Sequence, residues 1–452
     1  MKNQRKIISS PKDLKMDSIA ATLRKYWDER HLIPMGVRLL LIAYSLVAFG
    51  SPMPPKITWL EILMGCGLLL AGITLAGLVI REVQQQRSAK WCLGLTALLC
   101  LFPLFIGLMR DNALSNIARD IFPLIFLLVV PILLIYSATP DNRTTLRTLI
   151  ATALIFVGIY SAVTFFVGMQ KTVGSMSQLV LMMRVGFEQV VADRANGTWA
   201  ARDDLIRILF LKLYDPAVLF TSIFLSGWGV ILMARSWRGW LPGIILAGMG
   251  ALIAYEFMVL GLRAYAALFV LAIVVISLTQ LRQRGFYIRL LPVFIVACAL
   301  LCPQIEAVLR LLWVKQQIVG SNGKMDEWLA VISAIFSSPQ TAFFGIGWGG
   351  VLENPIYPNE PTRFTHSILS FYLLKTGVIG LGALLAIIGL LLACSQKIDS
   401  EALGIPRLIL LVSCIPPLLI GVLLEPTYKI LSYGVILALF VLTLPSFKKL
   451  IQ

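Results

Sequence analysis

His366 is one of only two histidines in this 452-residue chain, and it stands where a polar segment passes into a long apolar run. The stretch from Phe344 to Leu381 reads FGIGWGGVLENPIYPNEPTRFTHSILSFYLLKTGVIGL. An imidazole at such a boundary can meet both water and a membrane-bound substrate, and it can exchange a proton near neutral pH. A lone histidine is more often a structural hydrogen-bonding residue, so both roles stay open at this point.

Two cations accompany His366 in the sequence. Arg363 precedes it by three residues, and if a helix has begun by then, the two side chains point to similar sides. Lys375 lies inside the apolar run that follows. It is either a second functional cation or a side chain that snorkels to the membrane surface, and the sequence favours neither reading.

Glu256 and Arg263 lie between two apolar runs that have almost no loop between them, in the stretch AYEFMVLGLRAYAALF. Ionisable groups at that depth are costly unless they are paired or face a polar cavity, which makes both of them functional candidates. Seven residues separate the two, about two helical turns, so a local ion pair is possible if the helix persists. A snorkelling Arg263 and a Glu256 bonded to it or to a hydroxyl group are the alternative.

Two polar segments hold the other candidates. The stretch Asp193–Asp204 reads DRANGTWAARDD and carries Arg194 and Arg202, with Arg207 just beyond it; ordinary solvated charge is an equally good explanation for any one of them. Adjacent carboxylates such as those of Asp203 and Asp204 are more often solvated than metal-binding, so no metal site is expected. In the second segment, Met325–Phe336 is predicted to form an amphipathic helix. The glycines after it indicate a tight turn, since no GK[ST] follows that would favour a phosphate loop.

The elements that must position these residues are transmembrane helices. The chain is 58% hydrophobic and 14% charged, with a mean hydropathy of +0.85, which excludes an ordinary soluble protein. Its apolar runs are continuous rather than alternating, and they predict an all-α, polytopic integral membrane protein with about twelve spans. The predicted spans are 36–52, 59–80, 91–109, 120–138, 147–168, 213–234, 239–260, 263–280, 287–304, 367–394, 407–424 and 430–446.

The distribution of Lys and Arg predicts the orientation of these spans. With a cytoplasmic N-terminus, the short basic connections all fall on the cytoplasmic side, as the positive-inside rule requires, and the C-terminus is cytoplasmic too. The long segments 169–212 and 305–365 are then outer loops with short helices. Residues 1–35 form a basic, partly amphipathic segment that holds His31, an interfacial residue, and is too long and too charged for a cleaved signal peptide. Residues 36–452 form one membrane domain.

Charge and cysteine usage exclude further classes. The net charge of +16 is dispersed between apolar runs, so it reflects topology and lipid headgroup contact rather than nucleic-acid binding. The seven cysteines lie in or beside apolar runs without any CxxC pair, which indicates buried thiols and no structural metal.

Three short motifs in order resemble the O-antigen ligase and O-antigen polymerase superfamily of bacterial inner-membrane glycosyltransferases. Arg194–Trp199 (RANGTW) is similar to the family's outer-loop motif R-x-x-G-T-aromatic, and Leu262–Ala264 (LRA) to its helix start S-R-G/A, with Leu262 in place of the usual serine. Thr365–Leu381 resembles its signature T-H-N/S-x-x-L…G-x-x-G-L. The resemblance covers roughly residues 190–385.

The resemblance implies transfer of a glycan from undecaprenyl diphosphate to an acceptor hydroxyl, with arginines in place of a metal and with no cofactor. Arg194 and Arg263 match the family's positions for binding the diphosphate, and His366 that of the base. The catalytic prediction is His366, and the predicted diphosphate- or substrate-binding residues are Arg194, Arg202, Glu256, Arg263, Arg363 and Lys375. The active site is expected at the periplasmic face, with lipid A–core as the acceptor of a ligase or a second lipid-linked glycan as that of a polymerase.

Two readings from other classes remain open. A transporter or flippase of a polyanionic lipid would use Arg194, Arg263 and Lys375 along a path, and it predicts ionisable residues spread over several spans with paired broken helices. The candidates here collect at one membrane face, which favours an enzyme. A structural or sensory membrane protein is the weaker alternative.

Overall fold

The structure is a computed structural model, and it describes the larger part of the chain. The described residues are 32–47, 59, 62–70, 87–127, 129–136, 140–173, 212–259, 262–280, 310, 313, 317, 323–355, 361–398 and 405–444. Within these ranges the regular structure is helical, with one isolated antiparallel bridge between Leu352 and Thr362 and no strand. The predicted all-α class is therefore confirmed.

The helices are named here in chain order. They are α1 (Leu32–Val47), α2 (Arg87–Met109), α3 (Leu114–Phe126), α4 (Val129–Tyr136), α5 (Pro140–Val173), α6 (Pro216–Arg235), α7 (Trp240–Val259), α8 (Arg263–Gln280), α9 (Lys324–Ile335), α10 (Pro339–Phe344), α11 (Ile368–Ile398), α12 (Ile405–Leu423) and α13 (Leu431–Thr443). Two 3-10 turns, Trp237–Gly239 and Pro426–Lys429, lie before α7 and α13.

Six of the described helical segments are long and apolar enough to cross a membrane. They are Arg143–Gly168, Pro216–Arg235, Trp237–Phe257, Arg263–Gln280, Ile368–Leu390 and Pro406–Leu423. The predicted membrane-protein class agrees with these segments, and the run predicted at 263–280 coincides with α8. The run predicted at 287–304 lies outside the described residues, as do residues 1–31.

The span predicted at 120–138 is not one continuous helix. It is divided between α3 and α4, and the N–H of Val130 donates to Leu127 O at the junction. Pro131 lies in the first turn of α4, where its missing N–H would have no helical partner, so it suits a helix that starts again here. The interruption leaves Asp120 on the short helix α3.

A second interruption lies inside α11, at Gly377, whose φ of 63° and ψ of −164° are not helical. An uninterrupted helix would supply the N–H groups of residues 378 and 379 to Leu374 O and Lys375 O. Here those two carbonyls accept from Ile346 N at 2.9 Å and Gly347 N at 3.0 Å instead. The kink is thus the docking point for the glycine-rich loop.

The glycine-rich loop Gly345–Gly350 is also clamped against α2. The backbone N–H of Trp348 donates to Pro103 O, its indole Nε1 donates to Cys100 O, and its side chain is fully buried. A Cβ on Gly107 would lie 2.3 Å from Trp348 O, so this close approach requires glycine. Every backbone N–H from Ile346 to Gly350 donates to an acceptor within the protein. The loop therefore serves as a tight turn, and the phosphate-cradle alternative has no N–H groups left to use.

Large apolar clusters hold the helices together. One joins α1, α3, α4, α5, α6, α12 and α13, and another joins α5 to α8 and α12. Two smaller clusters surround the glycine-rich loop, one around Trp348 and one between α9 and α11. The polar residues described next lie at the edge of these smaller clusters.

Candidate functional site

Glu327 on α9 holds His366 through both of its carboxylate oxygens. The imidazole Nδ1 lies 3.1 Å from Oε1 and 3.1 Å from Oε2, and the backbone N–H of His366 donates to Oε2 at 2.9 Å. Asn354 Nδ2 donates to Oε1 at 2.6 Å. The Glu327 side chain is 1% exposed and that of His366 is 15% exposed, so the carboxylate is buried behind an imidazole that reaches the surface.

This geometry selects a tautomer. A carboxylate accepts hydrogen bonds, so Nδ1 carries the proton it donates and Nε2 is the basic nitrogen of the neutral ring. Burial alone would raise the pKa of Glu327, but the hydrogen bonds and charge of His366, together with Asn354, outweigh it and leave that pKa below its ordinary value. Glu327 is therefore ionised and can stabilise an imidazolium that forms when Nε2 takes a proton.

The start of α11 is fixed by hydroxyl groups. Ser367 Oγ accepts from Ser370 N at 3.0 Å, which is the bond that an N-cap residue makes to the first helical turn. Ser370 Oγ also donates to Thr365 Oγ1 at 2.7 Å. Because His366 lies between Thr365 and Ser367, this network determines where its backbone points. The helix begins at Ile368, after both residues, so the condition under which Arg363 and His366 would share a helical face is not met.

A second group of charges surrounds Asp120, which is buried. Its Oδ2 accepts from Lys375 Nζ at 2.7 Å and from Gly349 N at 2.7 Å, while Arg363 Nη1 lies 4.0 Å from Oδ1. Lys375 Nζ also donates to Gly350 O at 2.6 Å. Lys375 is fully buried, so it does not snorkel to the surface.

Cations outnumber carboxylates in this group, which we call the Asp120 cluster: Asp120, Arg119, Arg363, Lys375 and Lys429. Burial lowers the pKa of Lys429 to about 7; the nearby Asp120 opposes this effect, whereas Lys375, Arg363 and Arg119 add to it. Besides Lys429, three cationic side chains surround the single carboxylate of Asp120, so the cluster carries a surplus of positive charge. Such a site favours an anionic ligand.

Aromatic rings connect the Asp120 cluster to His366. Lys429 Nζ lies 4.1 Å from the ring centroid of Phe364, and the Phe364 ring is 6.3 Å from that of His366. Tyr428 donates its hydroxyl to Thr365 O. Burial raises the pKa of Tyr428, and Asp120, Tyr372 and Glu327 add to the increase. The carboxylates of both groups are therefore close to one phenol, and residues 363–366 join the two groups into one site.

Arg263 lies at the start of α8 and Glu256 is buried near the end of α7. The helix on which their local pairing depended does not persist, because α7 ends at Val259, before Arg263. Glu256 Oε2 has no hydrogen-bond partner among the described residues. Lys324, at the start of α9, pairs with Glu425 after α12, with Nζ and Oε1 2.5 Å apart.

The remaining predicted residues, Arg194 and Arg202, lie outside the described residues, together with Arg207, Asp203, Asp204 and His31. In the described ranges, no group of three or more His, Cys, Asp or Glu side chains has a geometry suited to a metal ion.

Sequence reasoning missed Asp120, Glu327 and Lys429. Asp120 has a visible signal, since it is an acidic residue at the edge of an apolar run. Glu327 lies on the helix that was predicted, but its inward face was not distinguished from its outward face. Lys429 lies between two apolar runs, as most cations of this chain do, so nothing local marks it.

No significant match emerges when the chain is compared with protein-family models, with curated proteins or with solved structures.

Proposed function

We propose that this protein is a metal-independent membrane glycosyltransferase of the O-antigen ligase type, which moves a glycan from undecaprenyl diphosphate to a hydroxyl group of lipid A–core. The observation that carries the proposal is the position of His366, with its Nδ1 held by Glu327 and with Arg363 of the Asp120 cluster three residues before it. A positioned base and a surplus of cations are the two components that this transfer needs.

The proposed reaction is a single displacement. Nε2 of His366 takes the proton of the acceptor hydroxyl as that oxygen bonds to the anomeric carbon of the glycan. The bond from this carbon to the phosphate oxygen breaks, and undecaprenyl diphosphate leaves with the electron pair. Glu327 faces the imidazolium formed in this step and stabilises its charge.

The cations stabilise the leaving diphosphate. Arg363 and Lys429 are the members of the Asp120 cluster proposed to contact it, together with Arg263, Arg194 and Arg202. A guanidinium suits this role because it holds phosphate in two-point contact and stays charged. Loss of one such contact is expected to cost about 3 kcal/mol of transition-state stabilisation, or roughly 100-fold in rate.

Lys375 and Glu256 belong to the proposed binding set but are proposed not to contact the diphosphate. Lys375 is fully buried against Asp120, so it contributes to the positive potential and the shape of the site rather than touching the diphosphate. Glu256 stays in the set because its Oε2 is buried and is not hydrogen-bonded to any described residue; a sugar hydroxyl could donate to it.

The proposal includes a topology of about twelve spans in the bacterial inner membrane with both termini in the cytoplasm. The outer loops 169–212 and 305–365 would then cover a periplasmic active site. The proposed partners are the lipid-linked glycan donor, its acceptor and membrane lipids, and no cofactor is involved.

The decisive experiment is glycan display in a strain that lacks the gene. It is complemented with wild type, His366→Ala, Arg263→Ala or Arg363→Ala, and the amount of each protein in membranes is measured. His31→Ala serves as the matched control, because His31 is the other histidine of the chain. Lipopolysaccharide gels and lipid-linked intermediates are analysed together.

If the protein is a ligase, strains that carry His366→Ala, Arg263→Ala or Arg363→Ala should show bare core and accumulate long lipid-linked chains. His31→Ala should restore wild-type glycans. Accumulation of single lipid-linked repeats would identify a polymerase instead. Wild-type glycans from well-expressed His366→Ala and Arg263→Ala would contradict the assignment and favour the transporter.

A further inference from the structure

Helix α9 exposes an apolar stripe that no described residue covers. Met325, Leu329, Ile332 and Phe336 are 64%, 58%, 41% and 62% exposed, and their spacing of four, three and four residues places them on one side of the helix. The opposite side carries Glu327, Val331 and Ile335, which are buried. The buried side of α9 therefore holds His366, and its exposed side presents apolar side chains.

Polar residues lie beside this stripe on the exposed surface. Asp326 and Ser333 are exposed, and each follows a residue of the stripe by one position, which is about 100° around the helix. The exposed surface of α9 thus has an apolar strip and, beside it, a polar strip. This division is typical of a helix that meets two different environments.

The apolar side of α9 follows the beginning of a candidate membrane span. Val331 and Ile335 pack with Leu373 and Leu374 in one apolar cluster, whereas Glu327 meets His366 just before the span begins. As α11 proceeds from Ile368 into the span, α9 therefore runs beside it. The second half of α9 therefore lies at the same level along the span as the first two turns of α11.

Helix α10 lies at the depth of the kink in α11. A Cβ on Gly377 would be 2.5 Å from both the carbonyl carbon and the oxygen of Phe343, so the two backbones touch. Gly377 is nine residues after Ile368, which is about 14 Å along a helix. The segment Ile368–Leu390 is one of the candidate spans, so α10 lies beside the interior of that span and not above it.

Exposed apolar side chains are also present at that depth. Phe343 and Phe344 of α10 are 55% and 37% exposed, and Val378 and Ile379, just after the kink, are 48% and 41% exposed. Non-helical backbone is tolerated at such a depth only where its polar groups are bonded within the protein. The glycine-rich loop after α10 meets that condition, since it is buried and its N–H groups from Ile346 to Gly350 are all used.

We infer that α9 and α10 form a re-entrant helical hairpin, and that acyl chains of the membrane leaflet in which α11 begins cover the stripe of Met325, Leu329, Ile332, Phe336, Phe343 and Phe344. The inference rests on the packing of this hairpin against a membrane span and does not depend on the proposed glycosyl transfer. Its consequence is that the Glu327–His366 pair lies at the level of the membrane surface, on an element that the lipid itself supports.

Photo-crosslinking of the full-length protein tests this inference. The photoreactive residue p-benzoyl-phenylalanine replaces Leu329 or Phe336 in the apolar strip, or Ser333 in the polar strip as the matched control on the same helix. The variants are reconstituted in vesicles of phosphatidylethanolamine and phosphatidylglycerol and irradiated, and the adducts are identified by mass spectrometry. Phospholipid adducts are expected at 329 and 336, and none is expected at 333.

The other occupants of the stripe are outcomes that overturn the inference. Cross-links between two copies of the chain at 329 and 336 would mean that the stripe is a dimer interface. Equal lipid labelling at all three positions, or none at any, would mean that the hairpin is not inserted side-on in the membrane.

Charge substitutions provide an independent check with folding itself as the readout. Leu329→Asp should cause a large loss of folded protein recovered from membranes, because it places a carboxylate in hydrocarbon, whereas Ser333→Asp should be recovered at the wild-type level. Equal recovery of the two variants would contradict the re-entrant hairpin.

Discussion

Lys375 and Asp120 form a buried ion pair, with Nζ and Oδ2 2.7 Å apart and side-chain exposures of 0% and 4%. The pair connects α11, two residues before its kink, to α3, half of the interrupted span. Gly349 N and Gly350 O supply further hydrogen bonds, so the glycine-rich loop is fixed to both helices. The positions of the other members of the Asp120 cluster follow from this connection.

Removing one partner of this pair should destabilise the protein more than removing both. Lys375→Met removes the nearest counter-charge of the buried Asp120 and leaves Arg363 at 4.0 Å, whereas Asp120→Asn leaves the buried ammonium of Lys375 with the carbonyl of Gly350; either change is expected to cost up to about 3–5 kcal/mol. Lys375→Met combined with Asp120→Asn removes both charges and should recover part of that loss. The midpoints of thermal unfolding in detergent measure the effect, and a double variant less stable than both single variants would contradict it.

Glu327→Gln should lower the activity of the protein without unfolding it. Glutamine keeps the shape of the side chain but cannot stabilise the imidazolium of His366 by charge, so the rate is expected to fall by roughly 10- to 100-fold. Asp326→Asn, at the neighbouring exposed carboxylate, is the control and should leave the rate unchanged.

Glu327 should also make stability depend on pH in the acidic range. Its pKa in the folded protein is below the ordinary value of 4.5. The unfolded chain therefore binds the proton more readily, so the stabilisation is fully present above about pH 4.5 and is lost as the pH falls through the folded pKa. Unfolding midpoints of wild type and Glu327→Gln should accordingly converge as the pH falls below 4.5; a constant difference across the acidic range would show that ionised Glu327 does not stabilise the fold.

Lys429 should make stability depend on pH in the alkaline range. Its pKa is about 7 in the folded protein against an ordinary value of 10.5. The unfolded chain holds the extra proton between these values, so stability rises as the pH increases from about 7 to about 10.5. Lys429→Met has no such proton, and its stability relative to wild type should therefore decrease over that interval. A difference that stays constant with pH would mean that the folded protein keeps Lys429 charged.

Gly377→Ala should disrupt the docking of the glycine-rich loop. The backbone there has φ of 63°, and the added Cβ would meet Phe343 at 2.5 Å, so strain of about 1–3 kcal/mol plus a steric clash is expected. Gly382→Ala, farther along α11, is the matched control because nothing lies within 4 Å of its added Cβ. It should be neutral or slightly stabilising, by up to about 1 kcal/mol. The midpoints of thermal unfolding of the two variants are measured side by side. Equal midpoints would contradict the predicted destabilisation by Gly377→Ala.

Local pattern was sufficient for much of the fold. The predicted run at 263–280 is α8, the predicted amphipathic helix at Met325–Phe336 is α9 within one residue at each end, and the all-helical class is confirmed. These features depend on apolar periodicity and on the length of each run, which are properties of neighbouring residues. The total of about twelve spans is still a prediction.

Local pattern failed where one helix is completed by another part of the chain. The sequence at 120–138 is apolar enough for one span, yet it is divided, and Gly377 within the tenth predicted span takes a non-helical conformation. The second interruption is tolerated because the glycine-rich loop, some thirty residues earlier, supplies the missing hydrogen bonds. A propensity that considers only neighbouring residues contains no information about this partner.

In the candidate site, too, some features follow from local sequence and others only from tertiary packing. The sequence by itself determined that His366 and Arg363 stand where a polar segment meets an apolar run and that Lys375 stands within that run, since residue type and the adjoining run are both local. Only the tertiary structure decided that Glu327 holds His366 and that Asp120 holds Lys375, across 39 and 255 residues of chain. A charge in an apolar run requires a counter-charge, but the identity of that counter-charge follows from which helices pack together, and packing is a property of the whole fold.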